Sequence, residues 1–356
     1  MVSKRLLRRD LILLQEEATI VFLTRTTDGP FAGRGHIFPT DLGLVSFMTP
    51  FRWVVSVLLT GALLLLLWGV AIEPRLVLDV RHYDTAVPRL PQAWEDHTIA
   101  LVSDLQVGMW LGNTGMVRKT VQRVIDQNPS LVLIAGDFVY HPDSSRVEEA
   151  VSLVRPVTEA GLPVVAVLGN HDYAMSSDSD EVNEETARYL EQELEAIGVQ
   201  VLENESTAIA APGTDSSLYL AGLGSAWAEK SSPSAAFANV PPDAARVVLM
   251  HNPVGYRHLP PQTSALTLAA HTHGGQIRVP YTPSESWLEI ARSREVIADG
   301  WAADSIGADG NRLYVTRGTG MSILPLRIFC PPELTFFTLR RARGPVSNPE
   351  PGTGPK

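Results

Sequence analysis

The sequence predicts an α/β fold in which two packed β-sheets carry helices on their outer faces. Apolar runs of strand length recur along most of the chain, and apolar residues at helical spacing lie between the early runs. The later runs follow one another with few helical segments between them. Helices alternating with strands, followed by strands alone, fit two packed sheets better than a simple doubly wound sheet.

Ten runs have the length and composition of strands. They are 76–80, 98–102, 131–135, 163–168, 199–202, 218–223, 246–250, 266–270, 313–316 and 334–339. Helical spacing predicts helices over 116–125 and 146–158, and a third helix that ends at Ile197. Gly198 follows this third helix, as is common at a helix C-terminus.

Composition limits the class of protein. The 356 residues are enough for one large or two ordinary domains. Hydrophobic residues at 45% and charged residues at 19% fit a globular protein with some membrane character. The net charge of −10 argues against nucleic acid as a partner. Cys330 is the single cysteine, which excludes an intrachain disulfide framework.

Residues 53–72 contain no charged side chain and predict a transmembrane anchor. Twenty helical residues span about 30 Å, which is the thickness of a bilayer core. Trp53 and Trp68 suit the membrane interface. A cleaved signal peptide is the alternative, since the small residues around Gly69 and Ala71 would suit cleavage. The length of the run favours an uncleaved, single-pass anchor in the cell membrane.

The anchor divides the chain into four parts. We expect residues 1–52 to be an N-terminal extension, either disordered or the product of a misassigned start codon. Residues 74–342 read as one soluble domain, and 343–356 as a disordered tail that is poor in apolar groups. The basic start of the chain favours an extracytoplasmic domain, although Arg75 and Arg81 beyond the anchor reduce the charge bias.

Five of the apolar runs end directly in polar groups. These groups are Asp104-Leu105-Gln106, Gly136-Asp137, Gly169-Asn170-His171-Asp172, His251-Asn252 and His271-Thr272-His273-Gly274-Gly275-Gln276. One such strand end is ordinary, because Asp and Asn are common turn residues and a lone His is often structural. Five in one domain favour a shared site at the carboxyl edge of the sheets, where open α/β folds place their sites.

The chemistry of these groups suits divalent metal ions. Carboxylates, imidazoles and amide oxygens are ligands for manganese, iron or zinc. His271 and His273 are two residues apart, so in an extended chain both side chains point the same way. Gly274 and Gly275 allow a tight backbone beside a metal and an anionic substrate.

The order of these motifs resembles the calcineurin-like metallophosphoesterase superfamily, and the resemblance covers roughly residues 74–340. His271 to Gln276, together with 316–320 and 330–333, is similar to one bacterial branch of membrane-associated phosphodiesterases. Some members of that branch cleave the pyrophosphate of UDP-diacylglucosamine. The resemblance implies a four-layer α/β/β/α sandwich for the 74–342 domain, with two metal ions between the carboxyl ends of the sheets.

The resemblance also implies a role for each site residue. One metal would be held by Asp104, Gln106, Asp137 and His273, and the other by Asp137, Asn170, His251 and His271. A hydroxide that bridges the two metals would attack phosphorus. His171 would stabilise the developing charge or protonate the leaving oxygen.

Three positions depart from the family pattern, of which Ala270, in place of the glycine before His271, is expected to matter little. Gln106 stands where the pattern has histidine, so the first site becomes richer in oxygen, which favours manganese over zinc. Tyr140 stands where many members have an aspartate that orients the catalytic histidine. Asp172 or a backbone group would then orient His171, and we count Asp172 with His171 as a catalytic candidate.

These features predict a membrane-anchored dimetal phosphodiesterase or pyrophosphatase. Its expected substrate is a phosphorylated small molecule or lipid, such as an envelope lipid or a nucleotide-linked lipid precursor. The alternative is a catalytically impaired metal-binding membrane protein that has lost one metal through Gln106.

Overall fold

A 27-residue helical segment precedes the sheets in the computed structural model, which describes residues 50–177, 179–280, 286, 297–303 and 305–342. The segment consists of α1 (Pro50–Leu67), a π-helical turn (Trp68–Ile72) and α2 (Glu73–Leu76). None of the α1 residues is buried. By length and composition the segment is able to cross a membrane, and it extends past the predicted span of 53–72 at both ends.

The remaining helices and strands alternate in the first half of the described chain, and strands dominate the second half. They are β1 (Asp79–Val87), β2 (Thr98–Val102), α3 (Thr114–Gln127), β3 (Leu131–Ala135), α4 (Ser144–Glu159), β4 (Val164–Val167), α5 (Glu184–Ala196), β5 (Val199–Val201), β6 (Glu205–Ala210), β7 (Ser217–Gly222), α6 (Pro233–Ala236), β8 (Arg246–Leu249), β9 (Thr267–Ala269), β10 (Gly300–Trp301), β11 (Leu313–Val315) and β12 (Glu333–Arg341). Short 3-10 turns lie at Gln92–Trp94, His171–Tyr173, Pro253–His258 and His273–Gly275.

Within the described residues the strands form two six-stranded sheets. The first sheet has the order β1-β12-β2-β3-β4-β5, and the second has the order β10-β11-β9-β8-β7-β6. Strands β2 to β5 pair in parallel, as do β7, β8, β9 and β11. Parallel pairing places the carboxyl ends of neighbouring strands at one edge of each sheet, which is where the polar motifs begin.

Three apolar clusters produce the layers. One lies between the sheets, where Leu133 of β3 and Leu249 of β8 belong to the same buried group. A second joins the outer face of the first sheet to α3, α4 and α5. A third covers the outer face of the second sheet with α6 and the Pro253–His258 turn. The predicted α/β class with two packed sheets is confirmed, although the helical layer on the second sheet is thin among the described residues.

The strand prediction was wrong in three places, all at sheet edges. The predicted strand 76–80 begins too early, because Leu76 ends α2 and β1 begins at Asp79. Strands β6 and β10 were not predicted. Both are edge strands, and β6 has no buried residue, so neither shows the apolar run by which core strands are recognised. The predicted boundaries 1–52 and 343–356 lie largely outside the described residues.

Candidate metal centre

Two clusters of metal-binding side chains lie where the carboxyl ends of the two sheets meet. One contains Asp104, Asp137 and His273, and the other contains Asp137, His251 and His271. Within each cluster the ligand atoms all lie within 4.8 Å of one another. Asp137 belongs to both clusters, and this is the position of a bridging ligand in a two-metal site.

The backbone turns sharply after β2, β3 and β9, which are three of the five strand ends that carry the polar motifs. The φ angles are positive at Asp104 (51°), Gln106 (51°), Asp137 (56°), His271 (75°) and His273 (52°). A residue in this left-handed region costs of order 1–3 kcal/mol and persists only where the surrounding structure fixes it. Such strain concentrated in the ligand loops is typical of a functional site.

Glycines allow two of these loops to approach each other closely. A Cβ atom on Gly169 would lie 2.2 Å from the Asp137 Oδ1 atom, and one on Gly136 would lie 2.5 Å from the Gly169 nitrogen. The loops that follow β3 and β4 therefore meet backbone against backbone. Gly136 and Gly169 consequently hold Asp137 between the two clusters.

The donor atoms of the first cluster fit a divalent metal. Both carboxylate oxygens of Asp104 and the Oε1 atom of Gln106 are buried, and none of them has a hydrogen-bond partner among the described residues. Burying polar oxygens without partners is costly, and a cation would satisfy all three. Burial, with the Arg327 charge nearby, lowers the pKa of His273 well below its usual value. His273 is therefore a neutral imidazole, the form that binds metals.

The second cluster holds a strongly coupled carboxylate and imidazole. Burial lowers the pKa of the His251 imidazole, but Asp137, whose Oδ2 lies 3.3 Å from Nε2, raises it to about 9 overall. Burial likewise raises the pKa of Asp137, and His251 and His171 bring it below its ordinary value. Burial and the His251 charge together lower the pKa of His271 to about 3. A cation that binds here would displace the proton from His251.

Two amide side chains lie beside the clusters. The Nε2 atom of Gln106 donates to the Asp137 Oδ2 atom at 2.8 Å and lies 3.5 Å from the His273 Nε2 atom, while its Oε1 atom is buried without a hydrogen-bond partner among the described residues. The Nδ2 atom of Asn170 donates to the Met175 carbonyl at 2.9 Å, and its Oδ1 atom lies 3.2 Å from the His251 Nε2 atom. The structure thus brings all seven predicted ligand positions to one place.

His171 is oriented by the backbone of residue 140. Its Nδ1 atom lies 2.8 Å from the Tyr140 carbonyl oxygen, and the Tyr140 ring stacks on the imidazole with the ring centres 4.9 Å apart. The sequence left Asp172 or a backbone group open for this role, and the structure places the backbone carbonyl there.

The Asp172 carboxylate is turned away from His171 and contacts the Asp137 loop. It accepts hydrogen bonds from the backbone N–H groups of Asp137 and Phe138, both at 2.9 Å, and of Gly169 at 2.8 Å. Asp172 therefore holds the Asp137 loop in place, which differs from the role of orienting His171 that the sequence had left open to Asp172.

A cavity of about 610 Å³ opens over both clusters. Its walls include Asp137, His171 and His273 together with the apolar Trp227 and Ile323. The Trp227 ring packs edge-on against His271 with the ring centres 4.5 Å apart. Sequence reasoning missed Trp227, because it follows no strand end and belongs to no ligand motif.

Arg327 is a second residue that the sequence did not single out. Its buried guanidinium donates to the carbonyl oxygens of His273 at 3.2 Å, Arg317 at 2.7 Å and Gly320 at 2.6 Å. One side chain therefore joins the His273 ligand loop to the 317–320 loop, which packs against Asp104. A lone arginine in a loop carries no sequence signal for this role.

The fold and the paired ligand clusters define a metal-dependent hydrolase, and the family follows from comparison with known proteins. Residues 97–275 match the family described as calcineurin-like phosphoesterase. The chain belongs to this family, as its motifs indicated, and is a metal-dependent phosphoric ester hydrolase.

Three relatives show the range of similar proteins. The chain is 34% identical over 217 residues to phosphodiesterase YaeI of Escherichia coli (strain K12), covering 60% of this chain and 72% of that protein. It is 23% identical over 324 residues to UDP-2,3-diacylglucosamine pyrophosphatase LpxG of Chlamydia trachomatis, covering 80% and 95%. It is 26% identical over 309 residues to a transmembrane protein with metallophosphoesterase domain of Danio rerio, covering 82% and 64%.

Proposed function

We propose that the protein is a membrane-anchored dimetal phosphoesterase that hydrolyses a phosphodiester or pyrophosphate bond in an envelope lipid or a nucleotide-linked lipid precursor. The observation that supports this proposal best is the pair of ligand clusters that share Asp137 beneath a cavity. Two adjacent sites bridged by one carboxylate are typical of enzymes that clamp a phosphate between two cations.

The proposed ligand sets combine the two clusters with the amide side chains that lie beside them. Asp104, Gln106, Asp137 and His273 would hold one metal, while Asp137, Asn170, His251 and His271 would hold the other. When bound, the ions would polarise the phosphate oxygens and make a water molecule more acidic. The free Gln106 oxygen makes the first site rich in oxygen donors, so we propose manganese there.

His171 is the proposed general acid. The Tyr140 carbonyl accepts from Nδ1, which leaves Nε2 for the substrate at the cavity wall. In the protonated form this nitrogen donates to the leaving oxygen or stabilises the charge that develops there. The stacked Tyr140 ring restricts rotation of the imidazole.

The membrane helix and the relatives support the substrate class. Two relatives are named as a phosphodiesterase and as a pyrophosphatase of a diacylated UDP-sugar, and a third is named as a transmembrane protein. The apolar, unburied α1 of this chain would keep the domain at the bilayer, where such lipids reside. We propose a single pass through the cell membrane with the domain on the extracytoplasmic side, where the substrate would be an envelope lipid; a nucleotide-linked lipid precursor as substrate would require the domain to face the cytoplasm.

The test is metal content and turnover of the full chain purified in detergent. We expect two metals per chain and hydrolysis of bis-(p-nitrophenyl) phosphate that a chelator abolishes and added manganese restores. His271→Ala should lose activity by about 100-fold or more, since even outer-shell partners of metal ligands contribute 10- to 100-fold. His258→Ala is the matched control, because His258 is exposed and belongs to neither cluster.

The alternative, an impaired metal-binding protein, predicts a different result. One metal or none, with no turnover in added manganese, would refute the proposed enzyme. The Gln106 Oε1 atom is buried without a hydrogen-bond partner among the described residues, which favours a filled first site and therefore the active enzyme.

A further inference from the structure

A set of exposed apolar side chains lies on two loops beside the base of the membrane helix. We infer that this apolar rim sits in the bilayer surface, so that the catalytic cavity takes its substrate from the lipid phase. The members of the rim and their exposed fractions are Trp110 (58%), Leu111 (55%), Ile323 (72%), Leu324 (47%) and Phe329 (45%). The inference rests on the membrane anchor of the proposed function.

The loop that carries Phe329 is hydrogen-bonded to the end of the helical segment. The backbone N–H of Arg327 donates to the Gly69 carbonyl at 2.8 Å. The N–H groups of Phe329, at 2.9 Å, and of Cys330 donate to the two oxygens of the buried Glu73 carboxylate. These bonds hold the loop against the last turns of the helical segment.

Close packing also fixes the position of this loop against the helix. A Cβ atom on Gly69 would lie 2.5 Å from the Ile328 Cγ1 atom, so only glycine allows the helix to approach this loop so closely. A Cβ atom on Gly61, two turns earlier in the same helix, would meet nothing within 4 Å. The contact is therefore local to the base of the helix.

The loop carrying Trp110 and Leu111 is tied to the same place. The Arg75 guanidinium donates to the Leu111 carbonyl oxygen. The Nδ2 atom of Asn113 donates to the Thr319 carbonyl at 2.7 Å, which joins this loop to the chain that leads into the second loop. Both loops thus meet at the end of the helix.

The position of these contacts along the helix sets their depth in the bilayer. About 20 helical residues cross the hydrocarbon core, so a span that begins near Arg52 ends close to Gly69 and Ile72. Loop residues bonded to Gly69 and Glu73 therefore lie at the boundary between hydrocarbon and head groups. Tryptophan is enriched at this boundary, where its ring meets both apolar and polar surroundings.

The rim also continues into the catalytic cavity. Ile323 and Ser322 line the cavity together with Gln276, three residues after the ligand His273. The Gln276 side chain donates to the Ser322 carbonyl and accepts from the Ser322 N–H, both at 2.8 Å. A lipid whose acyl chains stay in the bilayer would thus present its phosphate to the ligand clusters across Ile323.

The experiment measures how deeply labelled residues lie in the lipid bilayer of vesicles. The full chain is reconstituted in phosphatidylcholine vesicles, and one introduced cysteine at a time is labelled with an environment-sensitive fluorophore. Lipids with a nitroxide near the head-group end of the acyl chain quench at shallow depth, where the rim is expected, and lipids with a nitroxide near the end of the acyl chain quench at the depth expected for position 63. Leu324→Cys and Phe329→Cys test the rim, and Leu63→Cys reports on the anchor. The unaltered chain measures background labelling, which should be low because Cys330 is buried.

Gln127→Cys is the control for exposure without membrane contact. Gln127 is exposed and ends α3, a 14-residue helix of about 21 Å that begins beside the rim at Thr114. We expect blue-shifted emission and lipid quenching at positions 324 and 329, as at 63, and neither effect at 127. Gly69→Leu should reduce the quenching at 324, and Gly61→Leu should leave it unchanged.

The outcomes separate the rim from the anchor. Quenching at 63, with positions 324 and 329 behaving like 127, would overturn the inference while the anchor stands. Blue-shifted emission at 324 and 329 without lipid quenching would place these residues against protein instead of lipid, which also overturns the inference. No quenching at 63 would remove the proposed anchor and the rim inference together.

Discussion

The substitution Gly318→Ala is expected to disable the first metal site without touching a ligand. Gly318 has a φ of +64°, and an added Cβ atom would lie 2.4 Å from the Asp104 Oδ2 atom and 2.6 Å from its Cβ atom. The neighbours cannot yield easily, because Asp104 is itself held at a positive φ and is fully buried. The methyl group must therefore displace the carboxylate or the loop that carries it.

The size of the effect follows from these distances. Non-bonded heavy atoms rest about 3.5 Å apart, so Asp104 would have to move by about 1 Å. Metal sites tolerate ligand distances only within about 0.2 Å, and a 1 Å misplacement in an active site costs about 100-fold in rate. A left-handed alanine adds a backbone cost of roughly 1–2 kcal/mol.

Gly213→Ala is the matched control, because it carries the backbone cost without the clash. Gly213 has a φ of +73°, and a Cβ atom there would meet nothing within 4 Å. Both variants should lower the thermal unfolding midpoint of the protein after a chelator has removed its metal. Gly318→Ala alone should lose one metal per chain and about 100-fold in kcat/KM. Wild-type metal content and turnover in Gly318→Ala would refute the view that Asp104 is a tightly confined ligand.

Two further predictions concern a buried carboxylate and the unusual ligand. Burial raises the pKa of Glu333, but Arg81 and Arg317 bring it to about 2, against an ordinary value of 4.5. The ionised carboxylate therefore stabilises the fold by roughly 3 kcal/mol above pH 4.5, and this stabilisation is lost as the pH falls towards 2. Glu333→Gln should lower the thermal unfolding midpoint at neutral pH and make that midpoint less dependent on pH in acid. An acid dependence identical to that of the wild type would contradict this. Gln106→His replaces an amide oxygen with an imidazole, which zinc binds more readily. When the variant is loaded from an equimolar mixture of zinc and manganese, the ratio of bound zinc to bound manganese should rise. An unchanged ratio would mean that residue 106 binds no metal.

The sequence by itself was sufficient for the family, the two-sheet class and the set of ligand candidates. Core strands are recognisable in the sequence as continuous apolar runs. The residues that directly follow a strand lie at the edge of the sheet, whatever the distant contacts of the loop are. Asp137 follows β3 of the first sheet and His251 follows β8 of the second, so the prediction that they meet rested on the shared metal-binding chemistry of the strand ends and not on strand pairing. Edge strand β6 was missed because half-exposed residues leave no such run.

Only the tertiary structure decided how the loops around the site are held. It turned Asp172 to the Asp137 loop and placed the Tyr140 carbonyl on His171, two roles that the sequence could not separate. It also brought the Arg327 guanidinium to the carbonyl of His273. The backbone N–H of Arg327 contacts Gly69, which lies 258 positions earlier in the chain. Such contacts depend on how whole layers pack, because loop conformation carries no periodic pattern that a sequence would display.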